Sequence, residues 1–265
     1  MAALLDLFTN IKYNLSVYCG KNLATVFFSE ERIIFMRKPC VDYTKLRPGN
    51  IGTEQFRHVL LLLFWPAFGL LFGFLERGST VEKYYPVHCA LDDIIPFCEW
   101  FFIPYMFWFV FLIGTLAYTF FYDVEAFRKM MYFIIFTYGV TIVIYMFFPT
   151  CQELRPEEFL RDNFLTRAVA DFYEFDTNTN VCPSIHVLGS FAAMFALWDC
   201  KKLQKPAWKI AAFAAAVAIS ISTVFVKQHS VIDVAAALPL CLIGYYFVFV
   251  KHRKRTAELQ TAAAE

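Results

Sequence analysis

Apolar residues in this chain gather into six runs separated by polar stretches: His58–Leu75, Trp100–Phe121, Met130–Phe148, Ile185–Trp198, Ala207–Val226 and Val231–Val250. Each lies near the ~20 residues that a helix needs to cross the hydrocarbon of a bilayer. The fourth is short unless it begins at Pro183, whose ring suits a first helical turn. Pro66, Pro104 and Pro239 interrupt spans, which neighbouring helices in a bundle tolerate. The pattern predicts an all-α polytopic membrane protein with six transmembrane helices over 57–250, an extension over 1–56 and a basic tail over 251–265.

In the extension, Leu4, Leu5, Phe8, Ile11 and Leu15 recur at helical spacing and several basic residues follow. An interfacial amphipathic segment and a cytosolic extension both fit. Asp6 and Lys12 break the first apolar stretch, so no removable signal peptide is expected.

Composition supports the membrane reading. The chain is 59% hydrophobic with 32 Phe and only 18% charged residues, more apolar surface than a soluble domain of 265 residues can hide. A net charge of +1 gives no reason to expect a nucleic-acid partner. Charge placement sets an orientation. With the N-terminus cytosolic, the inner segments hold 18 of the 24 Lys and Arg residues and the outer segments six. The positive-inside rule then puts both termini in the cytosol. Lys251-His252-Arg253-Lys254-Arg255 reads as a topology anchor against anionic lipid.

The candidate chemistry falls on the outer side. Cys182-Pro183-Ser184-Ile185-His186 and Lys227-Gln228-His229-Ser230-Val231-Ile232-Asp233 each place a histidine at the edge of an apolar run. On a helix, His229 and Asp233 share a face. A carboxylate on one ring nitrogen fixes the tautomer and leaves the other nitrogen free to act. Arg155-Pro156 lies upstream on the same side. Ionisable groups at membrane depth point to function.

With these residues in this order, the chain resembles the type 2 phosphatidic acid phosphatase (PAP2) superfamily of membrane lipid phosphatases and phosphotransferases. The family pattern is K-x6-R-P, then P-S-G-H, then S-R-x5-H-x3-D. Here stand Arg155-Pro156, Pro183-Ser184-Ile185-His186, and Ser222-Thr223 with His229 and Asp233 at the matching offsets. Phe148 replaces the first-motif Lys, Ile185 the Gly, and Thr223 the third-motif Arg. The P-S-I-H and K-Q-H forms resemble the branch that includes inositol phosphorylceramide synthases. The resemblance covers roughly residues 55–250.

The resemblance implies a six-helix PAP2-like bundle acting on a lipid phosphate, with His229 attacking phosphorus, Asp233 orienting it and His186 protonating the leaving group. Spacing alone says only that these groups can converge. Arg155 offers a planar donor for phosphate, and backbone N–H groups near Ser184 add others. Lys227 has two readings, a substitute for the missing Arg or an interfacial lysine snorkelling beside the headgroups. No cofactor is expected. No spacing resembles a zinc site, and two histidines without a third convergent ligand argue for metal-independent chemistry. With one cation fewer than the family pattern, a phosphodiester headgroup suits the site as well as a monoester, so transfer to an alcohol stands beside hydrolysis. An inactive lipid-binding or transport scaffold is a third reading.

Three further features are ambiguous in sequence. Cys89, Cys98, Cys151 and Cys182 fall outside and are either bridged as Cys89–Cys98 and Cys151–Cys182 or free. The acidic run Asp171–Asn180 is either a filter for a cationic headgroup or a solvated loop. Lys45-Leu46-Arg47-Pro48 contains an Arg-Pro but precedes the first span, on the opposite side from the histidines, and is a decoy.

Overall fold

Helix boundaries follow from local chemistry that the chain supplies. The computed structural model describes residues 38–78 and 81–251. The chain divides after Cys40, and the fold below is that of the part beginning at Val41. The expected amphipathic segment within 1–20 and most of the basic tail lie outside the described residues.

The first long helix, α1 (Arg57–Arg77), begins as a 3₁₀ turn over Arg57–Leu63, is α-helical over Phe64–Gly73 and ends in a π turn over Phe74–Gly78. A two-residue strand, β1 (Tyr85–Pro86), and a short helix, α2 (Ala90–Ile94), occupy the next connection. Then come α3 (Phe102–Tyr122) and α4 (Val124–Phe147), joined through Asp123 alone, whose side chain caps α4 by accepting from Ala126 N at 3.2 Å. The strand β2 (Thr150–Cys151) pairs in parallel with β1, and the amphipathic helix α5 (Phe164–Phe175), capped by Asn163, lies in the same connection. The last three are α6 (Ile185–Asp199), α7 (Pro206–Phe225) and α8 (Val231–Tyr245), the last continuing as a π turn to Lys251.

The result is an all-α polytopic bundle. Among the described residues five helices, Arg57–Arg77, Glu99–Tyr122, Val124–Phe147, Pro206–Phe225 and Val231–Lys251, are long and apolar enough to cross a membrane. The helix α6 has 15 residues, or roughly 22 Å at ~1.5 Å per residue, less than the ~30 Å of hydrocarbon. Its length is explained by its place. Val187, Leu188, Ala192, Ala193 and Ala196 are fully buried, and the helix packs on α3, α4, α7 and α8. It is the axis of the bundle rather than a lipid-facing wall. Pro183, expected in its first turn, lies outside the helix, and Ser184 is the N-cap.

All three prolines expected to interrupt spans lie inside them. Pro66 and Pro104 fall in the first turn of their α-helical segments, each just after a 3₁₀ turn of the same span. Pro239 sits within an α-helical segment.

Small residues set the close packing. A Cβ on Gly189 of α6 would lie 2.5 Å from Tyr138 Oη and 3.0 Å from Trp108 Nε1, and one on Gly244 of α8 would lie 2.9 Å from the Phe133 ring. Alanines 212 and 216 of α7 are buried in the same core. At the end away from β1 and β2, buried Lys129 joins α4 to α6 by an ion pair to Asp199 at 2.7 Å. At the other end the connections α1–α3, α4–α6 and α7–α8 meet, tied by β1–β2 and by Cys98 N donating to Phe225 O at 3.0 Å.

Candidate active site

The turn from α7 into α8 is the most tightly fastened segment of that end. Gln228 N and His229 N both donate to Thr223 O, at 3.0 and 3.1 Å, and Lys227 takes a left-handed φ of 54°. This is the geometry of a helix C-cap, where glycine is the usual residue. Here a lysine holds it through its own contacts. Lys227 Nζ donates to the carbonyls of Asp92 and Ile95 at 2.7 and 2.5 Å, and its carbonyl accepts from Gln152 Nε2 at 2.8 Å. Neither reading of Lys227 as a phosphate cation nor as a snorkelling lysine describes this; the ammonium anchors the turn to α2. Burial pulls the Lys227 ammonium below its ordinary value, against the opposing pull of Asp92 and Asp93.

His229 stands between that C-cap and the N-cap of α8. Its Nδ1 lies 3.0 Å from Asp233 Oδ2, and the same oxygen accepts from Ser230 N at 3.0 Å. The His–Asp contact therefore forms through a capping box, with Asp233 reaching back to the cap, and not along one helical face as the spacing alone suggests. Ser230 Oγ donates to Asp92 Oδ2 at 2.6 Å, and Val231 N to Asp92 Oδ1 at 2.8 Å. Asp92 is buried at 1% exposure. Burial pushes its carboxyl up, but the bonds from Ser230, Val231 and Cys89 outweigh it and hold the group below its ordinary value. Sequence gave no sign of this residue, because its neighbour Asp93 is an exposed partner of His88 at 2.8 Å and the two look alike in a polar loop.

His186 is the second residue of α6. Its Nδ1 lies 3.2 Å from His229 Nε2, and its ring packs against Tyr105 and Trp108 with centroids 4.8 and 4.5 Å away. A carboxylate only accepts, so His229 Nδ1 carries the proton toward Asp233, and in the neutral ring Nε2 holds a lone pair. His186 Nδ1–H then donates to it. His229 Nε2 is thus the ring nitrogen turned away from Asp233, and its lone pair becomes available when the bond from His186 is given up.

Arg155 approaches from the connection after β2. Its Nε and Nη2 donate to Gln228 Oε1 at 2.9 and 2.6 Å, Nη1 donates to Tyr173 O at 2.9 Å, and Nη2 also donates to Asp176 O. The guanidinium lies 4.3 Å over the Tyr173 ring. Burial lowers its affinity for the proton, while Tyr173 and Asp176 favour the charged form. Gln228 Nε2 and Tyr105 Oη both donate to Asp176 Oδ2, at 3.0 and 2.5 Å. A chain of polar contacts thus runs from Arg155 through Gln228 to Asp176 and Tyr105, on which the His186 ring rests.

The structure brings His186, His229 and Asp233 together, while Arg155 bonds Gln228, the residue before His229, and is not among the residues that line the cleft over the histidines. Ser184 caps α6 with its N–H on Asp233 O at 3.2 Å, and its Oγ is buried without a partner. The positions where the family pattern has its other cations are elsewhere. Thr223 is buried with Oγ1 on Ser220 O at 2.8 Å, and Phe148 is an exposed apolar residue beyond α4. Arg47 of the decoy bonds the carbonyls of Thr44 and Leu46, at the opposite end of the bundle. Of the three carboxylates in the acidic run, Asp171 and Glu174 are exposed on α5 and only Asp176 reaches the cleft.

The cysteines described are all free thiols, so neither Cys89–Cys98 nor Cys151–Cys182 is bridged. Burial, and then the charge of Asp233, push the Cys182 thiol up to about 12. Among the described residues no three His, Cys, Asp or Glu side chains converge as a metal site.

A narrow cleft, open to one side, lies on the two histidines. Phe72, Val181 and Ile185 give it an apolar wall, while Glu76, Asp176, Asn180 and Gln228 give it a polar one. Within it, two imidazoles and an apolar flank stand side by side. No curated protein and no solved structure matches this chain. The family model of the PAP2 superfamily matches residues 128–257, a segment that begins in α4 and includes Arg155, His186, His229 and Asp233.

Proposed function

We propose that this chain is a PAP2-type integral membrane enzyme that cleaves a lipid phosphate through a phosphohistidine on His229. The observation that carries the reading is the Asp233–His229–His186 relay, with contacts of 3.0 and 3.2 Å, opening on a cleft with an apolar flank. His229 Nε2 forms a bond to phosphorus as the bond to the leaving oxygen breaks, and protonated His186 gives that oxygen its proton. His186 then takes a proton from water or an alcohol, whose oxygen attacks phosphorus and releases His229. Asp233 holds the His229 tautomer and stabilises the charge that develops on the ring. Arg155, with the N–H groups at the start of α6, offsets charge on the phosphoryl oxygens. The excess of Lys and Arg at the opposite end supports an extracytoplasmic site with both termini cytosolic.

Transfer to an alcohol has a specific argument in its favour. Phe148, Thr223 and the anchored Lys227 leave Arg155, bonded to Gln228, as the cation that still stands at its place in the family motifs. One cation suits a phosphodiester monoanion better than a monoester dianion. The Pro183-Ser184-Ile185-His186 form supports the same branch.

The test is phosphate release by the purified full chain in detergent and EDTA across a panel of lipid phosphates, beside His229→Ala and His186→Ala. Release that both variants lose supports the phosphatase. Headgroup exchange onto an added alcohol, abolished by His229→Ala, supports the transferase. Turnover that survives His229→Ala overturns both.

A further inference from the structure

The cleft holds more negative charge than a phosphate site needs. Glu76 at the end of α1 and Asp176 at the end of α5 both line it beside the histidines. Glu76 accepts from Thr177 Oγ1 at 2.7 Å, and Asp176 from Tyr105 and Gln228. Among the described residues, Glu76 is in no ion pair with a lysine or arginine, and the cation beside Asp176 is Arg155, which bonds its backbone carbonyl rather than its carboxylate.

A second observation is independent of that charge. Asn180 lines the same cleft at 4% exposure, and its Oδ1 is buried with no hydrogen-bond partner, while Nδ2 donates to Leu75 O at 3.3 Å. A buried acceptor without a donor is unfavourable unless a ligand supplies one. The polar wall therefore offers three acceptors, two of them carboxyl groups. It asks for a cation with N–H groups.

We propose that the cleft takes an aminoalkyl phosphodiester headgroup, with its primary ammonium on Glu76, Asp176 and Asn180 and its phosphorus facing His229 Nε2. The proposal rests on the reading of the site given above. A phosphomonoester dianion would meet two carboxylates and be repelled, whereas a zwitterionic headgroup places each charge against its opposite. A quaternary ammonium has no N–H to give Asn180, and is held by aromatic faces. Phe72 is the sole Phe, Tyr or Trp among the residues lining the cleft.

The test separates headgroup choice from chemistry. Dihexanoyl phosphatidylethanolamine, phosphatidylcholine and phosphatidate are titrated into the full chain carrying His229→Ala, and wild-type turnover of the same lipids is measured in parallel. The expected result is phosphatidylethanolamine bound at least about tenfold tighter than the other two, with Glu76→Gln in that background removing about tenfold of the preference. Glu76→Lys, at a half-buried position, should shift the preference to phosphatidate. Phosphatidate bound as well as phosphatidylethanolamine, or a ratio unmoved by both Glu76 variants, overturns the proposal. Selective binding without wild-type turnover of any lipid sustains the headgroup site and overturns the catalytic reading. Turnover of phosphatidate in preference to the diesters does the reverse.

Discussion

The two histidines lie 3.2 Å apart and are held by opposite means. His229 is held by charge and capping, with Asp233 on its ring, Asp92 beneath Ser230 and Val231, and Lys227 pinning the preceding turn to α2. His186 is held by shape, wedged against Tyr105 and Trp108 on a helix whose Gly189 leaves no room for a methyl. The difference suits the roles proposed for them. A nucleophile must present one tautomer, which a carboxylate imposes. A proton donor must change charge during the cycle, and a fixed carboxylate on its ring would hold the proton back.

If that division is right, the variants should separate in size. The largest effect is expected for His229→Ala, which should lower turnover by about 10⁴-fold or more and abolish a phosphoenzyme trapped in alkaline quench. Asp233→Asn should lower turnover by about 10²- to 10⁴-fold through the wrong tautomer; an unchanged rate would remove Asp233 from the mechanism. His186→Ala should cost about 10²- to 10⁴-fold on an alkyl leaving group, but less than about tenfold on a nitrophenyl phosphate diester, whose leaving oxygen needs no proton. An equal loss on both substrates would make His186 structural.

Shape and charge can then be compared through the residues behind the histidines. Gly189→Ala should destabilise the fold by about 1–3 kcal/mol by overpacking, read as a lower Tm, with turnover falling further on alkyl than on nitrophenyl substrates because His186 is displaced. The smallest effect is expected for Asp92→Ala, about 1 kcal/mol from the lost cap of α8. Its pH dependence has a definite sign. The folded carboxyl is held below its ordinary value, so its contribution is fully present above the ordinary carboxylate range and is lost as pH falls through the folded value. The stability gap between wild type and Asp92→Ala should be flat through neutral pH and close below pH ~4. A gap that widens in acid would mean that Asp92 acts otherwise.

The legible part of this protein was the part written in local pattern. Apolar runs marked the long helices because hydrocarbon admits little else, and the offset from His229 to Asp233 marked their contact because four residues is a local distance. Even there the structure changed the reason, replacing a shared helical face by a capping box. The 15-residue α6 looked like an inadequate span because its length is set by neighbours, not by the bilayer. Asp92, Gln228 and Glu76 were silent because their partners lie up to 139 residues away, and a loop carboxylate that caps a distant helix is spelled like one that faces water.

By itself, then, the sequence determined the helical membrane class, the two histidine segments and the carboxylate four residues beyond the second, all consequences of hydrophobicity and short-range geometry. Only the tertiary structure decided that Lys227 is an anchor, that Arg155 bonds Gln228, and that Glu76, Asp176 and Asn180 share one wall. Those are choices among distant groups, made by packing and by the need of each buried polar atom for a partner.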